Sequence, residues 1–471
     1  MSRATFSAAI PEEIDRAARA HLLRADGQED LCFALWYPSR GRHRTTALIR
    51  KLIVPSENER ILHGNVSFQP AFLERALEEA AREKSGLALM HSHPLGRGWQ
   101  AMSPDDVRAE KGNAGAVYGA TGMPFVGLTL AGDGAWSARF WHRRAPRTYE
   151  RDDCATVRVV GNTLKVTYFD RLAPVPQPTE KLVRTVSAWG NEAQANLTRL
   201  HVGLAGAGSV GGFIGEAIAR TGFEDMEAID FDDIEAHNLD RLLYATARDV
   251  GDLKVPVLAR HLKESATAEH FHCEEVVAAV FESEGYRAAL DCDVILACVD
   301  RPWGRHVLNF IAYAHLIPVI DGGISIRTNR FGLLTAADWR AHTATPGRPC
   351  LQCLGQYDSG LVQTEREGNL DDPTYIAGLA KDHPLKAREN VFAFSMACAS
   401  MQMLQMLALT LAPLGHSNPG AQLYHFVGGF MEEGDLGKAC HPDCAFPLLT
   451  ALGDASGIDV TGPRPPKRGK K

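Results

Sequence analysis

Nothing at the start of the chain stays apolar for long. Residues 1–13, MSRATFSAAIPEE, lack the continuous hydrophobic core of a secretory signal, and a cytoplasmic protein is expected. Positive charge is not in excess either. Fifty Lys and Arg against 57 Asp and Glu leave a net charge of −7, which argues against a general nucleic-acid binder. The final PRPPKRGKK is locally basic and reads as a solvated, disordered tail. Cysteine is sparse: the 10 are scattered apart from one CxxC, which suits a reducing compartment better than a disulfide framework. No internal repeat is visible. One stretch, residues 391–412 (VFAFSMACASMQMLQMLALTLA), approaches the length of a membrane span. Its Ser395, Ser400, Gln402 and Gln405 suit a buried helix better than a lipid-facing one, and no membrane partner is expected.

What is present describes a globular α/β protein. At 471 residues, with 45% hydrophobic and 23% charged, two or three domains are expected. Residues 1–150 form the first, residues 151–183 a hairpin and Pro-rich linker, residues 184–454 the second, and residues 455–471 the tail. In the first domain, residues 11–23 read as a helix with Ile14, Ala17, Ala18, His21 and Leu22 on one face. Residues 30–37, 46–54 and 87–90 are strand-like, residues 72–84 helical, and residues 117–141 further strands around a Gly-Asp-Gly turn. Residues 157–168 form a hairpin around Gly161-Asn162, and PVPQPTEK is a stiff linker.

The second domain is organised around residues 199–254. A short buried strand (Leu200, Val202, Leu204) turns through Gly206-Ala-Gly208-Ser209-Val-Gly211 into a helix that stops near Gly222. Such a turn lets backbone N–H groups approach a nucleotide, with the helix N-terminus facing its phosphates. Asp230, ending the next strand, is placed to accept hydrogen bonds from a ribose. This much also fits a dinucleotide dehydrogenase. The continuation differs: Asp230-Phe-Asp232, then Asn238-Leu-Asp-Arg241, then Lys254. An amide, a guanidinium and an ammonium after the ribose acid suit a triphosphate with its metal. Residues 294–299 (VILACV) form a buried parallel-type strand ending at Asp300, whose carboxylate faces the nucleotide crevice or caps the helix at Trp303. Residues 317–321 add a strand before Gly322-Gly323.

The run GxGxxG, DxDxxxxxNLxR and a following lysine resembles the ThiF-like adenylyltransferases. These include ubiquitin-activating enzymes and the thiamine- and molybdopterin-pathway activators. The resemblance covers roughly residues 184–444. It implies a Rossmann-like, doubly wound domain that binds ATP through Gly206, Gly208, Ser209, Gly211, Asp230, Asp232, Asn238, Arg241, Lys254 and Asp300. It also implies that Asp300 holds Mg²⁺, that Arg184 reaches the γ-phosphate across a homodimer interface, and that Arg241, Lys254, Asp300 and Arg184 act in catalysis. A surface arginine on the leading helix is the plain alternative for Arg184.

The first domain carries His91-Ser-His93-Pro94 and then Ser103-Pro-Asp-Asp106. Histidines at i and i+2 on extended backbone point the same way, and Asp106, on a helix that Ser103 caps, returns as a third ligand. Two imidazoles, one carboxylate and a water position form the set a hydrolytic zinc ion needs. The plain alternative is a pair of surface histidines beside a helix cap. The pattern resembles the JAMM (JAB/MPN) metalloproteases, which cleave after the C-terminal glycine of ubiquitin-like proteins. Here the loop LGRGWQAM is about two residues longer than theirs. The resemblance implies that Glu29, opening the strand EDLCFALW, is the general base and acid, with Glu57 and Glu59, in a polar loop, as second choices. Ser103 would help stabilise the oxyanion.

Cys350-Leu-Gln-Cys353 pairs with Cys440-His-Pro-Asp-Cys444 as a closed structural zinc site. The second pair is CxxxC where the adenylating family has CxxC, so either Cys444 closes the site or His441 replaces one ligand. Thioester-forming activating enzymes carry a cysteine after this zinc pair, yet residues 355–390 contain none. Cys398 falls in an apolar helical run. The chain then stops at the acyl-adenylate, or a hydroxyl such as Ser359, Thr364 or Thr374 accepts the acyl group with help from a base.

The expectation is a bifunctional enzyme with zinc, ATP and Mg²⁺. Its partner would be a ubiquitin-like protein ending in glycine, with a conjugating-enzyme-like protein as a second partner, in a pathway of the kind found in bacterial operons, some linked to phage defence. Alternatives are a sulfur-carrier pathway for cofactor or cysteine synthesis, and a non-catalytic ubiquitin-like-binding scaffold.

Overall fold

A computed structural model describes residues 5–63, 65–177, 179–371, 389–434 and 439–460. They divide into two compact units. One takes the chain up to Val175 together with Ala314–Leu316 and Leu449–Gly457; the other takes Pro176–Tyr313, Ile317–Leu448 and the residues from Ile458. The expected boundaries at 150 and 454 are therefore displaced, and the basic tail from residue 461 lies outside the described residues.

The first unit runs β1 (Thr5–Pro11), α1 (Glu12–Leu22), β2 (Leu31–Arg40), β3 (Arg44–Ile53), β4 (Arg60–His63), β5 (Asn65–Phe68), α2 (Pro70–Arg82) and β6 (Gly86–His93). It continues through α3 (Pro104–Thr121), β7 (Phe125–Ala131), β8 (Trp136–Ala145), β9 (Thr148–Asp153), β10 (Thr156–Val160) and β11 (Leu164–Tyr168). Nine strands form one mixed sheet in the order β11-β10-β1-β3-β2-β6-β7-β8-β9, while β4 and β5 pair separately. The apolar run LCFALWYPS of β2 is buried on both faces because helices cover both. Ala18 and Leu22 of α1 pack with Trp36, Met90 and Trp136. On the other face, Phe72, Ala76 and Ala80 of α2 and Ala114 and Val117 of α3 pack with Phe33, Leu87 and Trp141. Each such large side chain contributes about 1.5–3 kcal/mol through burial.

Three local expectations change. In α1, Ala17 is exposed and Asp15 is buried in its place; its carboxylate accepts from Trp136 Nε1 at 2.6 Å and Arg19 Nε at 2.7 Å. Residues 117–121 continue α3 until Gly122 stops it in a left-handed conformation (φ 72°), and the strands begin at Phe125. The hairpin at residues 157–168 is no connector: β10 pairs in parallel with β1, Ser7 opposite Thr156, and so completes the first unit's sheet.

The second unit contains α4 (Val183–Trp189), α5 (Asn191–Thr198), β12 (Val202–Ala205), α6 (Ser209–Thr221), β13 (Asp225–Ile229), α7 (Lys254–Ser265), β14 (His272–Val276), α8 (Ser283–Ala289), β15 (Val294–Ala297) and α9 (Pro302–Ala314). After these come β16 (Val319–Thr328), β17 (Leu334–Ala344), α10 (Ser359–Arg366), α11 (Phe392–Leu411), β18 (Ala421–His425) and β19 (Phe430–Gly434). The sheet order is β14-β13-β12-β15-β16-β17-β18-β19. The first five strands are parallel and the last three join antiparallel. β16 does not stop before Gly322-Gly323 but runs through both, paired to Ala341 and Arg340.

α11 is long and apolar enough to cross a membrane by composition. In the fold it packs on β16, β17 and α6. Ser400 is exposed. The helix's buried glutamines are spent inside: Gln402 Nε2 donates to Ala297 O at 3.0 Å and Ile320 O at 2.9 Å, and Gln405 Nε2 donates to Gly420 O at 2.8 Å. Cys398 is buried in the same packing.

Candidate functional site

The chain order of the parallel strands reverses between β12 and β15, the place where open α/β sheets bind ligands at their carboxyl ends. Gly206 follows β12 with φ 100°, and a Cβ there would stand 2.7 Å from Cys298 O. A Cβ on Gly211 would collide with Gly206 O, so both glycines are required for helix and strand to meet. Gly208 opens onto free space, where a ligand's approach meets no side chain. The Ala207 N–H donates to Asp230 Oδ2 at 2.7 Å, and the Asp232 N–H to Asp230 Oδ1 at 2.8 Å.

Lys254 begins α7 and donates from Nζ to Asp232 Oδ2 at 2.8 Å. Burial opposes its charge, but Asp230, Asp232 and Asp300 together hold its pKa above the ordinary lysine value. Burial raises the Asp230 carboxyl, and Lys254 partly offsets this. Thus Asp230, Asp232, Lys254 and the exposed Asp300, just past β15, form one electrostatic group beside the glycine turn. Asn238 and Arg241 do not join it in this conformation. Asn238 Oδ1 accepts from Glu235 N at 3.0 Å within a short 3₁₀ turn, and Arg241 Nη1 donates to His237 O and Asp240 Oδ1. Arg184 is exposed on α4. Ser209 accepts from Asn390 Nδ2 at 2.7 Å.

Several supports of this crevice carry no motif. Tyr244 OH donates to Ala207 O at 2.6 Å, fixing the glycine turn from outside. Gln402 ties the ends of β15 and β16 together below Asp300. Asp321, fully buried, accepts from Arg305 Nε at 3.0 Å and Arg340 Nη1 at 2.7 Å.

In the first unit, β6 delivers His91 and His93, and α3 delivers Asp106. His91 Nε2 lies 3.6 Å from Asp106 Oδ1, and His93 Nε2 lies 3.6 Å from Asp106 Oδ2. All three ligand atoms fall within 4.8 Å of one another. Tetrahedral zinc with arms of about 2.05 Å spaces its ligands by roughly 3.3 Å, so the donor set fits that ion. Burial, with Arg139 adding to it, pushes His91 down to about 3 and leaves the ring neutral, as a metal ligand must be. Ser103 caps α3: its Oγ accepts from Asp106 N at 3.1 Å, and its own N–H donates to Asp106 Oδ2 at 2.8 Å. This reciprocal cap aims the Asp106 carboxylate.

Glu29 does not open β2 but sits in the loop ahead of it. Burial raises its carboxyl pKa, His93 pulls it down, and Asp106 adds to the rise, so the charges of both ligands reach it. Glu59, a second choice, is committed elsewhere, to Arg75 and the Ser56 N–H. Glu57 is exposed in the turn before β4. Behind the site, Arg139 Nε donates to buried Glu110 at 2.9 Å and Nη1 to Thr129 Oγ1 at 2.7 Å, while Trp141 Nε1 donates to Glu110 at 2.7 Å.

The four sulfurs of Cys350, Cys353, Cys440 and Cys444 also fall within 4.8 Å of one another. Cys350 and Cys444 Sγ are 3.7 Å apart, far longer than a disulfide and close to the roughly 3.8 Å edge of a tetrahedral zinc–thiolate site. His441 contributes its backbone N–H to Cys353 Sγ at 3.4 Å, and Cys444 is the fourth member of the group. Ser359 heads α10, Thr364 donates back to Gly360 O, and Thr374 lies outside the described residues.

The model of the ThiF family matches residues 180–444, more than half of the chain. The chain belongs to the ThiF family. A tRNA threonylcarbamoyladenosine dehydratase 2 of Saccharomyces cerevisiae is 30% identical over 147 residues, 30% of this chain and 32% of that protein. The SAMP-activating enzyme E1 of Haloferax volcanii is 27% identical over 165 residues, 35% of this chain and 57% of that protein. The matches thus span between about a third and six tenths of these relatives' length. Among solved structures, Escherichia coli MccB with ATP aligns at a TM-score of 0.42 and 16% identity, covering 57% of this chain and 75% of that one. The unit bearing His91, His93 and Asp106 precedes the family match.

Proposed function

We propose that the second unit activates a C-terminal carboxylate with ATP. The observation that carries this is the gathering of Lys254, Asp230, Asp232 and Asp300 beside the Gly206 turn. The carboxylate oxygen attacks the α-phosphorus, the bond to the bridging oxygen of pyrophosphate breaks, and an acyl-adenylate forms. Asp230 receives the ribose and Lys254 meets phosphate oxygens; Asp300 would hold Mg²⁺, which would supply positive charge against the phosphates. Arg241 and Arg184 add cations once turned toward the nucleotide, Arg184 from a second copy in a homodimer. The Cys350, Cys353, Cys440 and Cys444 group holds a structural zinc. The substrate we propose is a small ubiquitin-like protein ending in glycine.

The first unit is, in this reading, a zinc hydrolase acting on the same partner's C-terminus, favoured by the grouping of His91, His93 and Asp106. Zinc held there supplies Lewis-acid activation of water and of the scissile carbonyl. Glu29, its pKa raised by partial burial, takes a proton from that water and returns it to the leaving amine. The Ser103 hydroxyl, beside the Asp106 carboxylate, turns its hydrogen to the oxyanion. One unit frees the carboxylate that the other consumes. The test is ATP–pyrophosphate exchange with the full chain and a candidate β-grasp partner. Exchange that ignores removal of the partner's terminal glycine would sink the reading.

A further inference from the structure

The loop between His93 and Ser103 is held in place more thoroughly than a connecting loop requires. Trp99 stacks on Phe169 with ring centroids 5.0 Å apart, the Gly98 N–H donates to Asp133 Oδ2 at 2.8 Å, and the Gln100 N–H reaches Ser137 Oγ at 3.4 Å. These anchors place the Gln100 side chain under His93. Its Nε2 lies 2.9 Å from Arg97 O and 3.0 Å from Gly98 O. An amide nitrogen has two hydrogens and no lone pair to offer, so both are spent on the two carbonyls. That fixes which way the amide faces, and the atom 3.3 Å from His93 Nδ1 is Oε1.

We infer that Gln100 is a positioning residue that sets the tautomer of His93 for metal binding. An oxygen with only lone pairs demands a hydrogen on Nδ1. The lone pair of the neutral ring then lies on Nε2, the atom directed at Asp106 Oδ2. In the metal-loaded protein that lone pair and the Asp106 carboxylate, 3.6 Å apart, both face the ion. Two glycines make room for the arrangement. A Cβ on Gly96 would collide with the Gln100 amide, and one on Gly132 with Pro94 O. Gln100 belongs to the lengthened stretch of the HxHP loop, so the extra length has a physical use: it returns the chain far enough to put an amide behind the second histidine.

The inference rests on reading His91, His93 and Asp106 as a zinc site, and the experiment separates the two. Zinc affinity of the full-length protein is measured by chelator competition for wild type, Gln100→Ala, Gly96→Ala and the double variant, with His91→Ala as the site control. Melting temperatures are taken on the metal-free proteins. Outer-shell losses of this kind cost about 10–100-fold in affinity. We expect that loss in Gln100→Ala and in Gly96→Ala, with the double variant no worse than either. The His93 Nδ1–H proton resonance of the zinc-loaded wild type should exchange slowly, and should exchange fast in Gln100→Ala. If wild type and His91→Ala bind zinc alike, the metal reading itself is wrong. If wild type binds in a His91-dependent way and Gln100→Ala matches it, the role of Gln100 is overturned. An affinity loss tracked by lower melting of the metal-free variant would also overturn it, as a folding effect.

Discussion

Lys254 Nζ lies 2.8 Å from a carboxylate oxygen of Asp232, and the charges of Asp230 and Asp300 also bear on it. One ammonium thus balances three carboxylates at the mouth of the Gly206 turn. Removing it leaves those carboxylates facing the place where phosphates must enter, so binding and catalysis should both fall. Lys254→Ala is expected to lower ATP–pyrophosphate exchange by roughly 10²–10³-fold, the cost of one preorganised charge at a developing anion. Lys254→Arg should recover little, because a planar fork does not occupy the place of a compact ammonium. Exchange assays beside a melting curve decide whether the loss is one of chemistry.

The two chemistries should separate by mutation. Asp300 follows β15 at the nucleotide crevice, whereas Glu29 lies in the first unit beside His93 and Asp106. Asp300→Ala should abolish exchange and spare cleavage of a C-terminally extended partner. Glu29→Gln should do the reverse, since an amide cannot carry the proton. Loss of both activities from either change, with folding intact, would refute the division of labour.

The parts legible in sequence were those where chemistry fixes local spacing. GAGSVG followed by Asp230 required a strand, a glycine turn with a helix starting at once, and a second strand leading to the acid, and the fold supplies each. Ser103 and Asp106 read as a cap, and the reciprocal cap is present. The misses came from partners far away in the chain. β1, TFSAAIP, lacks alternation and becomes a strand through pairing with β3 and β10. Residues 117–121 hold a glycine yet stay helical because Val117 is buried against the sheet. Asp15 is absent from the apolar face that spacing assigns to α1, because its partner, Trp136, comes from β8, far along the chain. Gln100, Arg139 and Tyr244 act on sites they are not adjacent to in any motif, so no spacing rule points to them.

Metal analysis offers a third check. With both donor sets filled, Cys350→Ser should carry about one zinc equivalent less than wild type and so should His91→Ala, since each disrupts a separate site. Their stabilities should differ. The cysteine group joins the loop after β17 to the segment before residue 444, so its loss removes a cross-link and should lower the melting temperature. His91→Ala keeps that cross-link, so its melting should stay nearer that of wild type than Cys350→Ser does. Elemental analysis after dialysis, with calorimetry, reads both.

The last prediction concerns pH. His342 is buried on β17, and its Nε2–H donates to Pro349 O at 2.8 Å. Nδ1 is then the lone-pair nitrogen, and among the described residues it has no hydrogen-bond partner. Burial, reinforced by Arg348 and Arg340, pushes the imidazole down to about 4, from 6.5 in the unfolded chain. Between those values the unfolded chain carries a proton that the folded one refuses. Stability is therefore full above pH 6.5 and declines as pH falls toward 4. The slope from one proton is at most about 1.4 kcal/mol per pH unit, and over the window it amounts to about 3 kcal/mol. His342→Gln keeps a donor for Pro349 O without a titrating ring, so its urea midpoint should fall less than that of wild type between neutral pH and pH 4.5. Parallel curves for the two proteins would mean that His342 takes up its proton over the same pH range folded as unfolded.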